Sequence, residues 1–265
     1  MIYCVWYPSG GFGHYMNAVI SLHGTNFARP KNPLAFGPDG NSHALDLTAP
    51  LWFKDPANYD FDFDPAMNYS VLIDNGINNQ GTKFQEFFPD ATIIKMCYTD
   101  FSWPVVANTM IVKAQGGRVE QHVSAQGQGW NTQEPWAQRE KYFLFLRDHA
   151  LRHAWKPDAI SCPVDVETLI QYTDIKQRLN HIGIDLTDFY DLHAAWWNSN
   201  QRYFQPILLA KQFVDGEIDV ITDLWTQAIV YYQIWCRYGV EVPHNDFCDF
   251  FHDQTHYQDW LGSVL

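Results

Sequence analysis

Gly10, Gly11 and Gly13 stand between a compact apolar run, Ile2, Cys4, Val5 and Trp6, and a stretch in which Met16, Val19, Ile20 and His23 recur at helical spacing. Glycines this close let the backbone turn tightly enough to aim several amides at one point. A short strand, a glycine turn and an amphipathic helix, in that order, bring unpaired N–H groups to the positive end of a helix dipole. A phosphate or sulfate group is then the natural guest of Ser9, Gly10, Gly11, Phe12, Gly13 and His14. The same glycines also suit an ordinary strand-to-helix turn that binds nothing.

The loop lacks the residues of nucleotide hydrolysis. His14 stands where the helix begins, and no Lys followed by Ser or Thr is present to hold the β- and γ-phosphates and Mg²⁺. The dinucleotide pattern Gly-x-Gly-x-x-Gly fails as well, because Gly11-Phe12-Gly13 would need its third glycine at Met16. Two carboxylates fall beside predicted strand ends: Asp74, ahead of Asn75-Gly76, and Asp100 after Ala91–Tyr98. Either could take a proton from an attacking hydroxyl. An Asp before Asn-Gly is also a common turn former, and Asp100 can equally cap the helix that follows it.

The elements that must position these residues alternate in type. Ile2–Tyr7, Tyr69–Asp74, Ala91–Tyr98 and Ala159–Cys162 read as strands. Helices are expected at Lys83–Phe88, around Val105, Val106, Thr109, Met110 and Val112, over Glu134–Trp155, and at Asp174–Ile182, stopped by Gly183. Asp165–Ile170 begins a turn or helix. The last third is helical and aromatic, from Tyr190 to Phe204 and from Ile218 to Tyr238, punctuated by Pro206 and Pro243. Thr25–Met67 and Gly116–Asn131 read as long excursions with little regular structure. Strands alternating with helices imply an α/β domain of three layers around a mostly parallel sheet, with ligands at the carboxyl ends of its strands. A single domain is expected over residues 1–265, a core to residue 205 and a helical C-terminal extension over 206–265.

Composition narrows the partners. A net charge of -13 argues against a nucleic-acid backbone or an anionic membrane, both of which reward Lys and Arg. Aromatic residues make up 16% of the chain, with 11 Trp, which points to a ring-rich core before a stacking surface. The five cysteines, Cys4, Cys97, Cys162, Cys236 and Cys248, are scattered without a CxxC and read as reduced thiols, two of them in buried strands. No secretory leader opens the chain and no apolar run approaches ~20 residues, so a soluble cytoplasmic protein is expected.

Taken in order, the elements resemble the sulfotransferase branch of the P-loop fold. In that family a strand enters a Tyr-Pro-Lys-Ser-Gly-Thr-like loop that grips the 5′-phosphosulfate of the donor PAPS; Tyr7-Pro8-Ser9-Gly10-Gly11 is similar but lacks the lysine. Ala91–Tyr98, Asp100 and Asn108-Thr109 are placed like the family's 3′-phosphate strand and helix, without its arginine. Val166-Glu167-Thr168-Leu169 resembles an acidic helix start of the family, and Ile175–Ile184 resembles its Leu-Gly-Leu helix. The resemblance covers residues 1–24 and 69–195. It implies sulfuryl transfer from PAPS, leaving PAP, to a hydroxyl of a carbohydrate or small metabolite, with no metal. The loop amides would stabilise the donor oxygens, His14 or Arg118 would supply the cation, and Asp74, with Asp100 behind it, would be the base. Gly10-Gly11-Phe12-Gly13-His14-Tyr15 is also similar to the N-terminal Gly-Gly-Leu-Gly-Asn-Gln loop of fucosyltransferases. Their His-x-Arg-Arg-Gly-Asp strand has no counterpart, since Arg147-Asp148-His149 lies in a predicted helix. A glycosyltransferase, or a nucleotide- or glycan-binding protein without catalysis, is therefore the alternative.

Other groupings have plainer readings. His244, Cys248, His252 and His256 recur every four residues, so neighbouring pairs could chelate a metal, but a straight helix cannot bring all four to one ion. Phe247, Phe250 and Phe251 beside them suit an ordinary amphipathic terminus. His149 and His153 repeat the spacing on the long helix. Trp196-Trp197-Asn198 could stack a sugar, though helical aromatics more often enter the core. Arg147 and Arg152 have Asp148 and Glu140 as local partners.

Overall fold

The computed structural model describes residues 1–7, 10–29, 64–74, 84–86, 88–98, 102, 105, 106, 109 and 161–220, apart from the side chains of residues 73, 74 and 206. Four strands, β1 (Ile2–Tyr7), β2 (Tyr69–Asp74), β3 (Thr92–Cys97) and β4 (Ser161–Asp165), form one sheet in the order β2-β1-β3-β4. Every pairing is parallel, with Trp6 opposite Ile73 on one side and Lys95 on the other, and Lys95 opposite Pro163. The α/β class and the parallel sheet agree with the sequence. The reason is visible in β1, where Tyr3, Val5 and Tyr7 on one face and Cys4 and Trp6 on the other are all buried, as parallel strands covered on both faces require.

The fourth strand lies further along than expected, at Ser161–Asp165 rather than Ala159–Cys162, and it contains Pro163. Among the described strands β4 is last in the order, so on one side of Pro163 no described strand pairs with it and its missing N–H costs no ladder bond there. Its carbonyl is taken by Arg178, whose Nε donates to it at 2.8 Å and whose Nη2 donates as well. A guanidinium from the following helix thus occupies the strand's outward acceptor. After β4, Asp165 accepts from the Glu167 amide at 2.8 Å and starts a short 3-10 turn, Val166–Ile170.

The helix after the glycine turn, α1 (Gly13–His23), differs from the amphipathic helix expected. Eight of its eleven residues are buried, including Asn17 and Ser21. Asn17 is accommodated because the Ser70 hydroxyl of β2 donates to its side-chain oxygen at 2.6 Å. At its C-terminus Gly24 returns an amide to the Ile20 carbonyl at 2.8 Å, and Arg29 donates to the carbonyls of Ser21 and Leu22, the end where the dipole favours a cation. Helix α2 (Tyr172–His181) stops at Gly183, as the sequence indicates. Gly183, at φ 86°, donates to Asn180 while Ile184 donates to Leu179, the paired bonds of a Schellman ending.

Helix α3 (Tyr190–Val214) runs through Pro206, which the sequence marks as a break. The proline removes one helical donor, and the buried Phe204, Ile207 and Ala210 around it hold the helical course. Residues 218–220, expected to begin another helix, are not helical. The predicted helix Glu134–Trp155, the Gly116–Asn131 connection and residues 221–265 lie outside the described residues. The chain divides into two compact units, Met1–Cys97 with Trp155–Asn200, and Tyr98–Ala154 with Gln201–Leu265. The sheet, α1, α2 and the start of α3 belong to the first. No described helix is long and apolar enough to cross a membrane.

Rings fill the first unit, as the composition indicates. Trp196, fully buried, lies flat on Tyr15 with centroids 4.2 Å apart and receives the edge of Phe12 at 5.3 Å. Beside it the Tyr15 hydroxyl is hydrogen-bonded to His193 Nδ1 at 2.9 Å, and His193 makes a backbone hydrogen bond with Ile170. Burial holds the His193 pKa below its ordinary value, the Ile170 carbonyl opposing it, and raises that of Tyr15. His23 is lowered too, by burial first and then by Arg29, against the opposing pull of Asp188. Truncating Trp196 to Ala should cost about 3–5 kcal/mol in denaturant unfolding. Both histidines bind protons more readily unfolded than folded, so their contribution to stability should be complete near pH 7 and fall as pH drops below the unfolded value of about 6.5. Unfolding curves between about pH 8 and 5 check this, and His193→Gln should flatten the fall.

Candidate functional site

β1 ends at Tyr7 and the chain re-enters regular structure at Gly13, so the glycine turn opens at the carboxyl edge of the sheet. Gly10 has φ 82°, which glycine adopts freely. Phe12 has φ 57° and ψ 26°, a left-handed conformation that costs a non-glycine residue about 1–2 kcal/mol. Burying its ring against Trp196 returns about 1.5–3 kcal/mol, which outweighs the strain. The sequence gives no sign of this conformation. Gly13 has a different reason to be glycine, since a Cβ there would come within 2.1 Å of the Tyr7 ring carbon Cγ. No side chain caps α1, and its first turn holds no acidic residue.

His14 opens α1 half-buried, with Nε2 2.7 Å from the Tyr7 hydroxyl and its ring edge-on to that of Tyr7. Nδ1 is enclosed. The imidazole thus belongs to the framework of the turn, tying the last residue of β1 to the first turn of α1. Gly10, Gly11, Phe12 and Gly13 are buried with it.

Asp74 is the last residue of β2 and the register partner of Tyr7, at the edge where the turn opens; its side chain is outside the described set. Ser9, Asp100, Asn108 and Arg118 also lie outside the described residues. Thr109 belongs to the second unit, where its hydroxyl donates to the Val105 carbonyl at 2.8 Å, an ordinary bond within a helical turn. Arg147, Arg152, His149, His153 and the His244 to His256 series are not among the described residues. Within the described set no group of three or more His, Cys, Asp or Glu is placed to hold a metal. Cys4, Cys97 and Cys162 are free thiols; the first two are buried in strands and burial raises the Cys4 pKa well above its ordinary value.

One charged residue went unremarked in the sequence. Lys95 lies in the middle of β3, 2% exposed, with its ammonium 4.8 Å from the centre of the Trp6 ring. Its signal was a lone lysine inside the apolar run Thr92–Cys97, a position that reads as a strand before it reads as a site.

No family model matches the chain, and no curated protein or solved structure shows significant similarity to it.

The geometry of the turn fixes the outcome of two substitutions. Gly13→Ala should lower stability by at least about 1–3 kcal/mol, because Tyr7 is held by His14 and cannot swing clear. Phe12→Gly removes the strain but loses the ring, so it should also destabilise, by at least about 1 kcal/mol. Unfolding midpoints of the two variants against the wild type measure both.

Proposed function

We propose that this chain transfers a group from a nucleotide donor to a hydroxyl of a carbohydrate or small metabolite, in the manner of the sulfotransferases. The observation that carries the reading is the position of the glycine turn. It leaves β1 at the carboxyl edge of an all-parallel sheet, and the order β2-β1-β3-β4 makes the β1 to β3 junction the point where connections diverge. Ligands of open parallel sheets bind outside the carboxyl ends of the strands at such a point.

In this reading the amides of the Ser9 to Gly13 turn and the start of α1 take the oxygens of the donor's phosphosulfate. The acceptor oxygen attacks sulfur, the bond from sulfur to the phosphate oxygen breaks, and that oxygen keeps the electron pair as PAP leaves. Asp74, at the same edge, receives the acceptor's proton. Transfer from a sugar nucleotide would use the same turn for a diphosphate. The free thiols of Cys4, Cys97 and Cys162 agree with a cytoplasmic setting.

A thermal-shift and calorimetric panel of PAP, PAPS, adenosine 5′-phosphate, GDP-sugars and UDP-sugars tests the reading. PAP should stabilise the chain by about 2.7 kcal/mol at one hundred times its Kd. It should bind more tightly than adenosine 5′-phosphate, and Arg118→Ala should remove the difference. A response to sugar nucleotides alone would move the assignment to glycosyl transfer. No response to any member would leave the glycine turn a purely structural connection.

A further inference from the structure

We draw no further inference here: the strongest candidate, the surface patch where the exposed Tyr190 ring stands beside Tyr172 and Asp188 at the start of α3, is a helix N-terminus at which nothing in the structure shows what covers it.

Discussion

The contact on which the first unit depends is the flat packing of Trp196 on Tyr15. These two rings join the start of α3 to the middle of the first turn of α1, and both are fully enclosed. Stacked rings contribute about 0.5–1.5 kcal/mol beyond the area they bury, so the pair is worth more as a fixed geometry than as an attraction. Its consequence is felt at Phe12. That residue meets the indole edge-on only because its backbone takes the left-handed conformation, and that conformation in turn sets the direction in which the chain enters α1. The shape of the glycine turn is therefore decided partly from outside the turn, by a ring nearly two hundred residues further along the chain.

A helix buried on almost every side needs its polar atoms answered from within. Asn17 is answered by Ser70, the Ser21 and Leu22 carbonyls by Arg29, and the Tyr15 hydroxyl by His193. Burial of the His193 ring disfavours its charged form, and its backbone hydrogen bond with Ile170 opposes this. The outer end of the same layer is treated differently. Asp188, exposed to water, accepts from the Tyr190 amide and the Tyr172 hydroxyl, and these bonds hold its carboxyl below the ordinary range.

Much of this was legible in the residues because local signals and tertiary demands coincide. The apolar run Ile2 to Trp6 followed by glycines could only be a strand and a turn, and Gly183 ends α2 with the bonds its left-handed backbone permits. Trp196 enters the core, as helical aromatics usually do. What escaped was decided by distant partners. Periodicity cannot distinguish a helix with one buried face from a helix covered all round, because Asn17 and Ser21 look like solvent residues until Ser70 and the surrounding chain are known. Pro206 reads as punctuation, yet packing around α3 holds it, and Pro163 lies within β4 although the strand is expected to end before it. Phe12 carries no propensity for positive φ, and a lone lysine in an apolar run gives no sign of how deeply it is buried. Of the site, the turn and Asp74 lie at one edge of the sheet as expected, through the register of Tyr7 with Asp74.

If the proposed function holds, an acidic chain receives an anion, and its long-range field conflicts with its local chemistry. Long-range repulsion from net charge is a matter of the exposed surface, where salt weakens it within about 8 Å at physiological ionic strength. Backbone amides at a helix start are neither exposed nor screened in that way, so a few fixed dipoles can prevail at short range. The arrangement at the end of β1 has this character. Its positive elements belong to the backbone, while carboxylates outnumber basic residues by 30 to 17 over the whole chain. For the proposed function, such a division would favour a small ligand held by hydrogen bonding at close quarters over a polyanion, which would lie across the repulsive exterior.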